Sequence, residues 1–324
     1  MSGPLASIVI VNWDGRDWLE RCLPAVEAQR GVRFETVVVD NGSRDGSAEM
    51  IERFFPRVRL IRNHDNRGFA AANNQGIAAA MGQYLATLNN DAIAEPDWLA
   101  ALVDAFEQDN NLAMAASRMV QLESPDRYDS AGIAPDRFGF AWNLRADERV
   151  PPRESPRAVF GACAGAALYR RGMLEDVGLF DERFGSYYED VDLAWRAQLR
   201  GWPARYIPSA VVRHAHSATG SRFPARKRFL IGRNRLWTLL KNTPRAGLGP
   251  ALGALPAVEG ALSIVRLLRG DSASMRGRLA ALAGIGPVLR QRQLIQRRAV
   301  VGWAELVPLL RSGRTGPGRI ERAA

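Results

Sequence analysis

Apolar runs and polar breaks alternate along the first hundred residues in a pattern that predicts repeated strand–helix units. Residues 6–12 form a β-branched run, 16–29 carry Trp18, Cys22 and Val26 at helical spacing, and 34–39 form a second apolar run ending at Asp40. The series continues with a helix over 46–55, a strand over 58–62, an Ala-rich helix over 69–81, a strand over 84–88 and a helix over 96–108 that starts at a proline. These strands are continuously apolar rather than alternating, as strands covered on both faces are. The expected architecture is α/β, a mostly parallel sheet with helices on both faces. Farther on, 123–157 is rich in Pro, Arg and Asp without periodicity and reads as an irregular excursion. Residues 158–169 are small and apolar, 180–196 are acidic, and 204–214 form another strand-like run.

Ligands of open parallel sheets bind beyond the carboxyl ends of the strands, so the residues just after each strand bear the chemistry. Here these are Asn12-Trp13-Asp14, Asp40-Asn41-Gly42-Ser43, Asn63-His64-Asp65-Asn66 and Asn89-Asn90-Asp91. Any one cluster is explained by turn formation alone. Four on one rim favour a polar ligand. No G-x-x-x-x-G-K-[ST] is present and no G-x-G-x-x-G follows the first strand, so a bound nucleotide would need another device for its phosphates. Asp91 can hold a hard divalent cation through oxygen, given further ligands. His214 ends a later strand, with His216 two residues on; a packed or solvated pair is the alternative reading. The stretch YYEDVDLAWR (187–196) crowds Glu189, Asp190 and Asp192 together. Like charges this close raise at least one pKa toward the range of a general base. The same residues also suit a helix N-terminus.

Composition narrows the class. Of 324 residues 47% are hydrophobic and 24% charged, which excludes disordered, collagen-like and coiled-coil chains. The net charge of +10 is uneven: residues 222–324 hold 20 Lys and Arg against 4 Asp and Glu, the first 221 residues 24 against 30. Such asymmetry suggests a polyanionic partner, an anionic membrane surface or a nucleic acid. The tail has few stacking aromatics (Phe223, Phe229, Trp237, Trp303), which disfavours nucleic acid. Cys22 and Cys163 make no disulfide framework and no zinc-ligand spacing. No basic and apolar leader precedes the first strand, so the catalytic part is expected in the cytoplasm. Residues 246–265 carry one charge, Glu259, but Pro250 and Pro256 interrupt them, so a bilayer span is not expected. Leu279, Leu282, Ile285 and Leu289 follow helical spacing beside Arg276, Arg278, Arg290 and Arg292, with a break at Pro287. That predicts a basic amphipathic element lying on an anionic leaflet or packing on the catalytic part.

Taken in order, SIVIVN (7–12), VVVDNGS (37–43), NRGFAAANNQG (66–76), LNND (88–91), VGLFDE (177–182), YEDVDL (188–193), RGW (200–202), VRH (212–214) and GRNRL (232–236) carry a likeness. Over about residues 5–242 the chain resembles inverting family 2 glycosyltransferases of the GT-A fold, particularly the bacterial rhamnosyltransferase-like branch. The resemblance implies a nucleotide-diphosphate sugar donor, with Asp40 on the base and Asn12, Ser43, Asn66, Gly68, Phe69, Asn73 and Asn74 around it. It sets Asn89-Asn90-Asp91 at the D-x-D position, with Asp91 on Mg²⁺ or Mn²⁺ and His214 completing the metal shell. It makes Asp190, with its neighbour Glu189, the catalytic base on the acceptor hydroxyl, and has Gly161 and Gly165 line the acceptor side. Rhamnose is the favoured sugar, and a polysaccharide or lipid-linked saccharide the acceptor. A UDP-hexose donor is the alternative; a non-catalytic sugar-nucleotide binder is disfavoured by the presence of both Asp91 and Asp190. The implied division is a catalytic domain over 1–221 and a helical, basic extension over 222–324, peripheral on the inner membrane face.

Overall fold

The computed structural model describes residues 3–215 and 223–311. The N-terminal half runs β1 (Ala6–Asn12), α1 (Arg16–Glu27), β2 (Phe34–Asp40), α2 (Ser47–Phe54), β3 (Arg59–Arg62), α3 (Phe69–Ala79), β4 (Tyr84–Asn89), β5 (Ala92–Ala94) and α4 (Trp98–Gln108). Apart from β5, which periodicity does not predict, these match the expected elements, with ends moved by at most two residues. Next come β6 (Met114–Gln121), β7 (Tyr128–Ser130), β8 (Ile133–Pro135), β9 (Ala141–Asn143), β10 (Arg157–Val159), β11 (Ala166–Arg170), α5 (Arg171–Val177), α6 (Glu189–Leu199) and β12 (Ala204–His214). Five helices follow: α7 (Pro224–Asn242), α8 (Arg245–Leu268), α9 (Ser272–Ala283), α10 (Ile285–Arg298) and α11 (Trp303–Leu306).

One ten-stranded sheet organises the body, in the order β10-β12-β6-β11-β4-β1-β2-β3, with β5 beside β12 and β7 beside β6. Strands β3, β2, β1 and β4 are parallel, β11 runs antiparallel between β4 and β6, and β6 pairs β12 in parallel. The chain leaves β1 for β2 on one side and reaches β4 on the other, so the strand order reverses between β1 and β4. That reversal opens the crevice in which doubly wound sheets take ligands. Two apolar layers flank the sheet. Leu19, Leu23, Trp98, Leu102 and Phe106 pack on one face, and Phe160, Tyr169, Phe184, Trp195 and Trp237 on the other.

The structure departs from expectation in three places. The excursion over 123–157 is not featureless: β7 joins the main sheet, and β8 and β9 form a hairpin. Pro250 and Pro256 do not stop α8, which runs unbroken for 24 residues. Each proline removes a backbone hydrogen bond at a cost of about 3 kcal/mol, and the surrounding alanines and leucines keep the helix. The amphipathic element around Pro287 is two helices, parted at Gly284; Pro287 sits in the first turn of α10, where a missing amide is tolerated.

Candidate active site

The crevice floor is built at the ends of β1, β2 and β4. Asn12 donates through Nδ2 to Asp40 Oδ1 at 3.3 Å and to Ser43 Oγ at 3.2 Å, while the Ser43 amide donates to Asp40 Oδ2 at 3.2 Å. Asn90 Nδ2 donates to Asn12 Oδ1 at 2.7 Å, tying the two strands at the reversal. Gly15 makes this possible: a Cβ there would stand 2.2 Å from Asn90 Nδ2 and 2.7 Å from Asn12 Oδ1. The wall on the β2 side is an amide ladder in which Asn41 donates to Asn66 Oδ1 and accepts from the Arg67 amide, both at 3.0 Å. Asn12, Asp40, Ser43, Asn66, Gly68, Asn90 and Asp91 thus share one rim.

Asn73 and Asn74 depart from their expected place around the donor. Asn73 Nδ2 bonds the Phe69 carbonyl, and Asn74 exchanges two hydrogen bonds with the Phe180 backbone. Both side chains are consumed inside the fold, because they lie one turn into α3 on its packed face. Gly161 departs likewise: its added Cβ would meet Ala194 Cβ at 2.4 Å, so it lets α6 approach rather than presenting a surface to an acceptor. A Cβ on Gly165 would stand 3.1 Å from Met119 Cε and 3.2 Å from Asn89 Nδ2.

A second cluster forms where β4, β7 and β12 end. His214 Nε2 lies 3.1 Å from Asp91 Oδ1 and 3.2 Å from Asn89 Nδ2, and Nδ1 lies 2.7 Å from Asp129 Oδ2. Sheet pairing creates the cluster: β7 brings Asp129 to one side of β6, and β12 brings His214 to the other. Burial works against a charged imidazole, but the hydrogen bonds and charges of Asp129 and Asp91 outweigh it and push the ring up to about 10. Asp129 was not singled out by sequence; it lies in a three-residue strand within an aperiodic segment, and no local signal marks it. His216 lies outside the described residues.

The donor set suits a divalent cation. Carboxylate oxygen and imidazole nitrogen converge, and the far ring nitrogen is held by a second carboxylate, the arrangement that orients metal-binding histidines. No cluster of three or more His, Cys, Asp or Glu around one point occurs among the described residues, so a bound cation would need ligands from elsewhere.

Asp190 opens α6 after a strained turn. Tyr187 and Tyr188 both adopt left-handed backbone angles, φ 67° and 70°, costing about 1–3 kcal/mol each. The carboxylate accepts from the Ala164 amide at 3.2 Å and the Val191 amide at 2.8 Å. Burial raises its pKa against those bonds. Glu189 beside it is more deeply buried, and its Oε2 meets no partner among the described residues. Burial first, then the charge of Asp190, pushes the Glu189 carboxyl up, and burial raises Asp190 too, so the two titrate as a pair above the ordinary carboxylate range.

The two clusters border the same loop. The Asn89 amide donates to the Gly165 carbonyl at 2.9 Å, and the amide of Ala164, one residue earlier, donates to Asp190. Cys163 completes the seam: burial and then the carboxylates of Asp190, Asp129 and Glu189 raise its thiol, so all three act on one point. The Asp91–His214 cluster, through Asn89, and Asp190 therefore both adjoin the segment Ala164–Gly165.

A family model described as "Glycosyl transferase family 2" matches residues 7–178, more than half of the chain. The chain belongs to that family. This family 2 glycosyltransferase is 29% identical over 244 residues to the N-acetylglucosaminyl-diphospho-decaprenol L-rhamnosyltransferase of Mycobacterium tuberculosis, covering 67% of this chain and 78% of that one. Among solved structures it is similar to GalNAc-T7 in a crystal structure with UDP, GalNAc and Mn²⁺, at TM-score 0.58 and 19% identity, over 74% of this chain and about half (48%) of that chain. It is also similar to the mannosyltransferase PcManGT of Pyrobaculum calidifontis, in complex with GDP-Man and Mn²⁺, at TM-score 0.54 and 18% identity, over 92% and 88% of the two chains. The glycosyltransferase thus has the GT-A fold that its motifs imply.

Proposed function

We propose that this glycosyltransferase moves a sugar, rhamnose in the favoured reading, from a nucleotide-diphosphate donor to a lipid-linked saccharide or polysaccharide, with inversion. The reading is supported by the proximity of two chemically different groups, Asp190 and the Asp91–His214 cluster, to the same short segment Ala164–Gly165. Asp190 accepts the proton of the acceptor hydroxyl as that oxygen attacks the anomeric carbon; the glycosidic bond forms as the bond to the donor diphosphate breaks. Glu189 stands beside it as the second carboxyl of the pair. Asp91 and His214 would hold Mg²⁺ or Mn²⁺. When bound, the cation supplies positive charge to the departing diphosphate. Asn12, Asp40, Ser43 and Asn66 bind the nucleoside, with Gly68, Phe69, Asn89 and Asn90 beside it, and Gly165 borders the acceptor.

The donor preference rests on the similarity to a rhamnosyltransferase. A UDP-hexose donor is the second reading, favoured by the UDP and GalNAc of the GalNAc-T7 structure. A screen of dTDP-, UDP- and GDP-sugars with Mg²⁺ or Mn²⁺, read as binding and nucleotide release, decides between them. In the same assay Asp190→Asn is expected to bind donor normally and lose at least ~100-fold in turnover. Near-normal transfer by that variant overturns the assignment, and full activity in EDTA removes the metal.

We further infer that residues 1–221 form the catalytic domain and 222–324 a basic helical extension, and that the extension rests on the cytoplasmic face of a membrane. Helix α8 is long and apolar enough to cross a bilayer by length and composition, and 6% of its most apolar 18-residue window is buried. Its one acidic residue, Glu259, is tied to Arg235 and to Arg278, which fastens the helix to the body. Leu252, Ile264, Val265 and Leu268 of α8, with Leu279 and Leu282 of α9, are exposed. Apolar side chains beside Arg266, Arg269 and Arg276 suit an interfacial helix on anionic lipid, where a lipid-linked acceptor would be met.

A further inference from the structure

Helix α7 carries a stripe of polar side chains with almost no access to water. Asn234, Thr238 and Asn242 are fully buried and Lys241 is 1% exposed. A helix that spends its packed face on amides and an ammonium must have partners for them. Those of Asn234, of Lys241 and of Asn242 Nδ2 lie around Asp190, while Thr238 Oγ1 and Asn242 Oδ1 meet none among the described residues.

Asn234 Nδ2 donates to the carbonyls of Phe184 (3.0 Å), Ser186 (3.0 Å) and Tyr187 (2.7 Å). Arg233 Nη2 adds the carbonyls of Arg183 and Phe184, both at 2.9 Å, and its Nε donates to Asn234 Oδ1 at 2.9 Å. The pair thereby gathers four carbonyls of the turn that ends in the left-handed Tyr187 and Tyr188. Two turns farther along α7, Lys241 Nζ bonds Asp181 Oδ2 at 2.8 Å and Asp192 Oδ2 at 2.9 Å, and Asn242 Nδ2 bonds Asp192 Oδ1 at 2.8 Å. Asp192 is fully buried and stands two residues after Asp190 on the first turn of α6. One helix therefore holds the turn over 183–187 that leads into α6 and Asp192, two residues past Asp190.

We propose that Asn234 and Asn242 are positioning residues for the transfer reaction, with α7 acting as the rigid template that aims Asp190 at the acceptor. This inference rests on the reading of Asp190 as the general base. Neither residue touches the reacting atoms. Each acts by keeping a strained turn and the first turn of α6 in the one arrangement that sets the Asp190 carboxylate against the Ala164 amide. A base displaced by a fraction of an ångström from the attacking oxygen loses rate steeply while nucleotide binding, built on β1, β2 and β4, is untouched.

The test is a double-mutant cycle on the full chain. Asn234→Ala, Asn242→Ala, Asp190→Asn and the two pairwise combinations are assayed for dTDP release from dTDP-rhamnose with Mn²⁺, alongside dTDP affinity and thermal midpoint. Each α7 single variant is expected to lose tenfold or more in turnover with dTDP affinity changed less than about threefold. In the Asp190→Asn background the same substitutions are expected to cost nothing further, because they act through a base already removed. Asn242→Ala keeps the experiment informative if Asn234→Ala folds poorly, since it deletes a single hydrogen bond. Losses that persist undiminished in the Asp190→Asn background, or turnover unchanged in both single variants, overturn the inference. If Asp190→Asn is itself as active as the unaltered enzyme, the base assignment fails instead, so the two failures are distinct.

Discussion

His214 is fastened to Asp129 by a 2.7 Å contact between Nδ1 and Oδ2, which leaves Nε2 facing Asp91. A carboxylate in that position fixes the ring and raises its basicity as a ligand. Asp129→Ala is therefore expected to raise the Mn²⁺ concentration for half-maximal activity about 10- to 100-fold. Asp129→Asn, which can still accept from Nδ1, is expected to cost less. A metal titration of activity checks both, and an unchanged requirement in the alanine variant would detach Asp129 from the site.

Burial raises the pKa of Asp190 and of its neighbour Glu189. Asp190 works only when ionised, so kcat/KM is expected to fall with decreasing pH along a limb above the ordinary aspartate value of about 3.9. Glu189→Gln removes the second carboxyl of the pair and leaves Asp190 in place. It is expected to keep that limb and to stay within about tenfold of the original rate. A pH–rate profile of the variant with the limb abolished would make Glu189 the acting base.

Asp136 stands in the turn between β8 and β9, where its Oδ1 accepts from the amides of Phe138 at 2.8 Å and Phe140 at 2.9 Å. Burial outweighs these bonds and the nearby Arg235, pushing the carboxyl up to about 6. The folded state then holds a proton that the unfolded chain has released. Its contribution to stability is complete below about pH 4 and is lost as pH rises through 6, a decline of about 3 kcal/mol. Asp136→Asn keeps the acceptor oxygen and cannot ionise. Thermal unfolding at pH 4 and pH 7 is expected to favour the variant at pH 7 and not at pH 4.

Ile264 and Leu268 are 62% and 82% exposed on α8. Replacing both by serine is expected to change stability by no more than about 0.5 kcal/mol each, as for other exposed positions. The same pair, worth about 1.5–3 kcal/mol per side chain if buried in lipid, should lower partitioning onto vesicles containing phosphatidylglycerol by tenfold or more. Flotation with equal recovery of variant and original protein would remove α8 from the membrane contact.

Residues whose role is set by their neighbours in sequence were the legible ones. Strands β1, β2 and β4 announce themselves by continuous apolar runs, and Asn12, Asp40 and Asp91 follow from standing at their ends. Asp129 was not legible, because only the pairing of β7 with β6 carries it to His214, and a three-residue strand has no period to read. The roles of Asn234 and Asn242 were hidden for the same reason: they lie more than 40 residues from the turn and helix they hold. Asn73 and Asn74 show the converse. Their sequence context resembles a binding loop, yet helical geometry turns both toward the Phe69 and Phe180 backbone. The continuity of α8 was not legible, because Pro250 and Pro256 interrupt the local pattern that the surrounding alanines and leucines otherwise support.

The turn over residues 184–187 is gripped from two directions, by Asn234 on one side and on the other by the Ala70 amide, which donates to the Gly185 carbonyl at 2.9 Å at the start of α3. The start of α3 and the turn leading into α6 thus meet on a single short stretch of backbone. A small molecule that wedged between that stretch and either neighbour would silence the enzyme without resembling a nucleotide or a sugar, which makes this seam a target for inhibitors that owe nothing to substrate mimicry.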